Sequence, residues 1–66
     1  MQVTINGEQR DVPAGLSVAE LLLELGYGER RVAVERNADI VPRSQHDTTR
    51  LEENDSIEII QAIGGG

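Results

Sequence analysis

The 66-residue sequence contains no cysteine, no lysine and a single aromatic residue, Tyr27. Without cysteine there can be no disulfide, no thiolate nucleophile and no cysteine-ligated zinc, so any sulfur chemistry needs atoms from another molecule. The lack of lysine prevents the chain from being linked to copies of itself through lysine side chains. Because the net charge is −6 and stacking rings are missing, we expect no nucleic-acid partner.

Long apolar runs are also missing. No stretch approaches the ~20 apolar residues of a membrane span, and the first ten residues lack the basic start and apolar centre of a secretory signal. We therefore expect a cytoplasmic protein without membrane contact. A chain of this length forms one small domain that buries only about 60% of its unfolded surface, so deep pockets are not expected. Its acidic balance favours a partner with a basic surface.

The first residues predict a β-hairpin. Val3 and Ile5 alternate with polar residues, as in a strand with one buried face. The dipeptide Asn6-Gly7 follows, and it is a strong hairpin signal because both residues of the tightest turn need a positive φ. Two antiparallel strands therefore open the predicted fold.

One helix is predicted over the sequence SVAELLLELG. Ser17 is suited to the N-cap, and Glu20, three residues later, completes a capping box. Gly26 is suited to the left-handed residue that ends the helix. The spacing i, i+3, i+4 and i+7 places one apolar stripe against the sheet: Val18, Leu21, Leu22 and Leu25.

Two short strands are predicted after the helix. Val32 and Val34 alternate with other residues in the first strand. Residues 39–41 form the second, which ends at Pro42 because proline cannot donate a hydrogen bond to a sheet. The segment 43–50 has no clear period, so we expect it to be irregular, with one helical turn.

The last strand is predicted in the sequence IEIIQAI. Ile57 and Ile59 would face the core, while Ile60 and Ala62 would lie on the opposite face. Leu51 is expected to anchor the preceding segment in the core. The order is β-β-α-β-β-β, an α+β fold in which one main helix packs across a mixed sheet. The first and last strands would pair in parallel at its centre.

Few side chains suggest catalysis or metal binding. We interpret His46, the only histidine, as a solvated loop residue rather than a general base, which would need a nucleophile or an orienting partner beside it. Glu52, Glu53 and Asp55 lack the spacing of a calcium loop. We interpret them as exposed carboxylates of a turn, and we predict no metal site.

The three glycines that follow the last strand need a functional explanation. We divide the chain into a domain of residues 1–63 and a flexible tail formed by Gly64, Gly65 and Gly66. Without side chains, such a tail is thin enough to enter a narrow channel, and three extended residues reach roughly 10 Å. A terminal carboxylate at Gly66 would be unhindered, but it is a poor electrophile at neutral pH and would need activation by ATP. A frayed terminus is the alternative.

These features together resemble a known family. The segments MQVTINGE, SVAELLLELG, VAVERN, IVPR and IEIIQAIGGG, in this order and over the whole length, resemble the ubiquitin-like sulfur carriers of thiamine biosynthesis, the ThiS family. The resemblance implies a β-grasp (ubiquitin-like) fold. Two positions depart from the family: Ala38 stands where glycine is frequent, and His46 stands where an aromatic residue is frequent.

The resemblance also implies a function and partners. An E1-like adenylyltransferase (ThiF-like) would use ATP and magnesium to adenylate Gly66. The product would become a thiocarboxylate, with sulfur drawn from cysteine through a donor such as a cysteine desulfurase system. Thiazole synthase (ThiG-like) would then accept the sulfur. The chain would be a protein cosubstrate rather than an enzyme, and it would bind no cofactor stably.

A docking surface and several alternatives follow. Ile60, Ala62 and Ile63 are expected to form an apolar docking patch, because an outward apolar residue on the last strand favours a partner. Ile60 could instead be covered within the domain. A molybdopterin-type sulfur carrier and a ubiquitin-like protein modifier share the fold and the tail, and they remain alternative functions. A purely structural interaction domain would leave the glycines unexplained.

Overall fold

The computed structural model describes residues 1–28 and 30–61. Within these residues the chain forms five strands, one α-helix and one 3₁₀ turn in the predicted order. The strands are β1 (Gln2–Ile5), β2 (Glu8–Asp11), β3 (Val32–Arg36), β4 (Asp39–Val41) and β5 (Ser56–Gln61). The helix α1 spans Val18–Glu24, and the 3₁₀ turn spans Arg43–Gln45.

The five strands form one mixed sheet in the order β2-β1-β5-β3-β4. β5 lies at the centre, parallel to β1 and antiparallel to β3. The other two neighbouring pairs, β1 with β2 and β3 with β4, are antiparallel. The predicted parallel pairing of the first and last strands is therefore confirmed. The crossover that includes α1 makes this pairing possible, because parallel neighbours cannot be joined by a tight hairpin.

Two hairpins with two-residue turns form the outer parts of the sheet. Asn6 and Gly7 have φ values of 51° and 84°, as the predicted tight turn requires. In the second hairpin, Asn37 and Ala38 have φ values of 51° and 73°. Ala38 therefore adopts a left-handed conformation that disfavours a side chain, at one of the two positions where the sequence departs from the family that it resembles.

The helix α1 begins and ends at the predicted residues. Glu20 N–H donates to Ser17 Oγ (3.1 Å), and Ser17 N–H donates to Glu20 Oε1 (2.9 Å), which completes the capping box. The bond from the Ser17 backbone is the main reason why the pKa of Glu20 is lowered. Gly26, just after the helix, has a φ of 89°, as expected for a left-handed C-terminal residue.

The hydrophobic core lies between α1 and one face of the sheet. It includes three of the four residues of the predicted helix stripe, while Leu25 is half-buried and packs against it. Leu51 is buried, which confirms its predicted anchoring role. The ten buried apolar residues are Val3, Ile5, Val18, Leu21, Leu22, Val34, Val41, Leu51, Ile57 and Ile59.

The segment between β4 and Leu51 is more ordered than the sequence predicted. It contains the single helical turn, but His46 is buried rather than solvated, so that interpretation was wrong. The Nε2 atom of His46 lies 3.1 Å from the carbonyl oxygen of Val41, and Ala19 N–H donates to the backbone carbonyl of His46 (2.9 Å). His46 thus links the 3₁₀ turn to β4 and to the helix, and its burial comes from tertiary contacts that local sequence does not encode. In the described part of the chain, no helix is long and apolar enough to cross a membrane.

Candidate functional site at the end of the central strand

The candidate site lies where β5 leads towards the glycine tail. The described part of β5 ends at Gln61, five residues before Gly66. Ile57 and Ile59 point into the core, as predicted, and Ile60 points to the opposite face with 52% of its surface exposed. The alternative in which Ile60 is covered within the domain is therefore wrong.

Most of the predicted site residues lie outside the described residues. These are Ala62 and Ile63 of the docking patch and the three glycines, Gly64, Gly65 and Gly66. The predicted boundary between residues 63 and 64 lies there as well. The structure therefore places one predicted site residue, Ile60, and the strand that carries it.

Ile60 borders a shallow, mainly apolar hollow on the sheet surface. Arg31, Val32, Ala33 and Arg43 line the hollow with it. Among the described residues, neither arginine forms an ion pair with a carboxylate. Two positive charges therefore border the hollow, while the pair Glu35–Glu58, further along the same face, is negative and the whole chain carries a net charge of −6.

The side chain of Asn6 holds the end of β5, a contact that sequence analysis missed. Ile59 N–H donates to Asn6 Oδ1 (2.7 Å), and Asn6 Nδ2 donates to the carbonyl oxygen of Ile59 (3.3 Å). The backbone N–H of Asn6 also donates to the carbonyl oxygen of Ile57 (2.9 Å). The side-chain amide of Asn6 thus forms the two hydrogen bonds to Ile59 that backbone groups of β1 would form if that strand continued.

Asn37 holds the beginning of β5 in a similar way. Ser56 N–H donates to Asn37 Oδ1 (2.9 Å), while Asn37 N–H donates to the carbonyl oxygen of Ser56 (2.8 Å). Its Nδ2 donates to Asp55 Oδ1 (3.0 Å). Both asparagines are first residues of two-residue turns, and this repetition is the only sequence signal for their shared role.

Asp55 was predicted as an exposed turn carboxylate, but it is buried, so the prediction was wrong. It accepts hydrogen bonds from Arg36 Nε (2.7 Å) and Glu52 N–H (2.8 Å), besides the one from Asn37. Burial by itself raises the pKa of Asp55, but the bonds from Glu52 N–H, Arg36 and Asn37 outweigh it, so the pKa is lowered. These contacts satisfy a buried charge just before β5 begins.

The other two carboxylates of this turn, Glu52 and Glu53, are exposed as predicted. Glu52 Oε1 lies 3.7 Å from Arg36 Nη2, and Glu53 Oε2 accepts a hydrogen bond from Gln2 N–H (2.9 Å). In the ranges 1–28 and 30–61, no group of three or more histidine, aspartate or glutamate side chains is arranged to hold a metal ion. The Glu52 and Glu53 side chains thus contact Arg36 and the start of β1.

Comparisons with known proteins show the relationships of the chain. The model of the ThiS family matches residues 3–66. The sulfur carrier protein ThiS of Escherichia coli is 35% identical over 66 residues, which cover 100% of both chains. A crystal structure of a thiamine biosynthesis protein (ThiS) from Geobacter metallireducens superimposes with a TM-score of 0.86 at 33% identity, again with 100% of both chains covered.

A second kind of relative is much longer. A thiazole synthase of Paramagnetospirillum magneticum is 47% identical over 66 residues, and the chain spans 20% of its length. A thiazole synthase of Magnetococcus marinus is 41% identical over the same number of residues, again 20% of its length.

The mixed sheet crossed by one helix, with its match to the Geobacter structure, defines a ubiquitin-like β-grasp protein. Within this class, the chain belongs to the ThiS family, the sulfur carrier proteins of thiamine biosynthesis. The resemblance on which the sequence analysis relied is confirmed.

Proposed function

We propose that the chain carries sulfur as a thiocarboxylate on Gly66. The carboxylate oxygen attacks the α-phosphorus of ATP on an E1-like, ThiF-like adenylyltransferase that uses magnesium, and pyrophosphate leaves. A persulfide on the donor protein then attacks the acyl carbon, and AMP leaves as the carbon–sulfur bond forms. A thiol of the donor system cleaves the remaining sulfur–sulfur bond, which leaves the thiocarboxylate on Gly66 and a disulfide on the donor. The sulfur comes from cysteine through a donor such as a cysteine desulfurase, and thiazole synthase accepts it. The chain acts as a recycled cosubstrate rather than as an enzyme.

The observation that carries this proposal is the continuity of β5 with the tail. The family match extends over residues 3–66 and so includes the three glycines. β5 is the central strand, and β3 pairs with it up to Gln61, so the residues after Gln61 follow a strand that is hydrogen-bonded into the sheet. The thiazole synthases among the relatives support that class of enzyme as the sulfur acceptor.

The exposed face near the end of β5 supports a docking role for Ile60, together with Ala62 and Ile63. Covering an exposed isoleucine removes apolar surface from water, which is energetically favourable. An exposed isoleucine in an apolar hollow therefore favours a bound partner. Because Arg31 and Arg43 border this hollow, the partner surface that covers Ile60 is expected to be acidic at its rim. This local expectation differs from the basic partner surface that the net charge alone suggested.

Removal of Gly66 tests the chemistry. A chain without Gly66 should support no ATP–pyrophosphate exchange by the activating enzyme, while its urea unfolding curve should match that of the full chain. Exchange at the full-length rate would refute adenylation at Gly66. Removal of Met1 is not a suitable control, because its amino group donates to Asp11 Oδ1 (3.0 Å). Ser44→Ala, a change at an exposed residue, is a better one.

Intact-mass spectrometry of the chain from cells distinguishes the functions. A fraction heavier by the mass difference between sulfur and oxygen would mark the thiocarboxylate. Attachment of the chain to other proteins would favour a ubiquitin-like modifier instead. Transfer of sulfur to a molybdopterin precursor rather than to thiazole synthase, measured with the purified thiocarboxylate, would favour the molybdopterin-type carrier.

A further inference from the structure

Two asparagines in equivalent turns hold the central strand at its opposite ends. Asn6 and Asn37 have the same φ, 51°, and each is the first residue of a two-residue hairpin turn. The side chain of Asn37 binds the backbone of Ser56, where β5 begins. The side chain of Asn6 binds the backbone of Ile59, close to where the tail leaves the sheet.

The geometry of the sheet explains why the Asn6 contact is needed. β1 pairs with β5 only through Thr4 and Ile5, because the chain then turns away at Asn6 and Gly7. Backbone groups along a strand alternate between its two sides. Asp55 accepts a hydrogen bond from Thr4 of β1, and Ile57 accepts one from Asn6, just after β1. Ile59 therefore faces the same side, beyond the last residue of that strand. Without the Asn6 amide, both backbone groups of Ile59 would lack a partner on this side.

We propose that Asn6 is a positioning residue for the tail reaction. By fixing Ile59, it holds the last part of β5, residues 59–61, in an extended conformation, so that Gln61 presents the tail to the partner in one direction. This inference rests on the proposed function, because it concerns the delivery of Gly66 to the activating enzyme. Asn37, which binds the far end of β5, has no such role.

The expected effect is on recognition rather than on the chemical step. With Asn6 removed, the end of β5 would be held only by β3, through the pairs Ala33–Ile60 and Val32–Gln61. The tail would then begin from many conformations, and the partner would have to restrict them when it binds. Once Gly66 is in the active site, the reacting atoms are unchanged. The loss of two hydrogen bonds should therefore raise KM for the carrier about tenfold and leave kcat unchanged.

A matched pair of variants tests the inference. Asn6→Gly and Asn37→Gly both retain a residue that accepts positive φ, and both remove the side-chain amide. ATP–pyrophosphate exchange by the activating enzyme is measured while the concentration of each carrier is varied. Amide hydrogen exchange of Ile59 and Ser56 is measured on the same proteins. We expect Asn6→Gly to raise KM and to accelerate exchange at Ile59, and Asn37→Gly to accelerate exchange at Ser56 with KM within about twofold of wild type.

A third variant separates the effect of the turn conformation from the effect of the hydrogen bonds between Asn6 and Ile59. Asn6→Asp keeps a residue favoured in this turn and keeps the acceptor for Ile59 N–H, but it removes the donor. Its KM should lie between those of the wild type and Asn6→Gly. Equal KM values for the two glycine variants, or wild-type exchange at Ile59 in Asn6→Gly, would overturn the inference. A wild-type chain that supports no pyrophosphate exchange would instead overturn the proposed function, and the amide measurements would still show whether Asn6 fixes Ile59.

Discussion

At the scale of single residues, Ala38 is the clearest conflict between a side chain and its backbone. Its φ of 73° lies in the left-handed region, where a Cβ atom costs roughly 1–2 kcal/mol. Ala38→Gly should therefore stabilise the domain by about 0.5–1 kcal/mol, after the greater flexibility of glycine in the unfolded chain is subtracted. Urea unfolding measures the change.

The control for this variant is Ala33→Gly. Ala33 lies within β3 and has no positive φ, so glycine there should cost about 0.5–1 kcal/mol. Shifts of the unfolding midpoint in the same direction for both variants would contradict the conformational explanation.

Asp55 makes the stability of the domain depend on pH. Because its pKa is lowered in the folded chain, the contribution of Asp55 is fully present above its unfolded pKa of about 3.9. It is lost as the pH falls through the lower folded value. Asp55→Asn should lower the free energy of unfolding by about 1–3 kcal/mol at pH 7. The difference from wild type should shrink as the pH falls below about 4.

Urea unfolding between pH 7 and pH 3 measures this convergence. Asp47→Asn, a change at an exposed carboxylate, is the control and should follow the wild type throughout. The opposite result is that the free energies of unfolding of Asp55→Asn and wild type differ by the same amount down to pH 3. That result would show that Arg36 and Asn37 do not stabilise the charge of the carboxylate.

The sequence did not predict the burial of His46 or Asp55, for a physical reason. Both residues lie in segments without a hydrophobic period, where polar residues are usually exposed. Their burial depends on partners that are distant in sequence: Asp55 binds Arg36, 19 residues away. Such pairs are formed by the packing of β3 against β5, which no local pattern specifies.

At the scale of elements, the helix was predictable because its signals are local. The Ser17–Glu20 capping box, the apolar stripe and Gly26 all lie within ten residues, and the structure contains each of them. The hairpin turn at Asn6-Gly7 was predictable for the same reason. The second hairpin turn carries alanine instead of glycine, so its positive φ was not indicated by residue type.

The helix contributes to stability through one face only. Leu21 is 1% exposed, whereas Leu23, two residues later, is 66% exposed. Leu21→Ala should cost about 2–5 kcal/mol, a large part of the stability of so small a domain. Leu23→Ala should change it by no more than about 0.5 kcal/mol. Thermal and urea unfolding of both variants measure the difference, and comparable losses would show that the helix packs through another face.

At the scale of the whole molecule, the described residues include three exposed large apolar side chains, Leu23, Ile40 and Ile60. Of these, Ile60 and Leu23 lie on opposite sides. Ile60 is on the sheet face that α1 does not cover, and Leu23 is on the outer side of α1. If the sheet face docks on the activating enzyme, Ile60→Thr should raise KM for the carrier about tenfold, because a buried isoleucine contributes roughly 1.5–3 kcal/mol. Leu23→Gln should leave KM unchanged. Equal KM values for the two variants would place the docking surface elsewhere.

The candidate site was predictable in part at this scale. The outward direction of Ile60 follows from strand alternation, and the structure confirms it. The arginines beside Ile60 were not predictable, because Arg31 and Arg43 come together only when the 3₁₀ turn packs near the beginning of β3. The roles of Ala62, Ile63 and the glycines stay predictions.

The parallel pairing of β1 and β5 also determines how the domain responds to a pulling force. Met1 and Gln61 lie at opposite ends of two neighbouring parallel strands. Tension between them therefore acts along the strands and loads the hydrogen bonds of this pair together, instead of opening them one by one. When the start of β1 is held and the end of β5 is pulled, the middle of the sheet bears the load, so this pair should resist the pull as a unit.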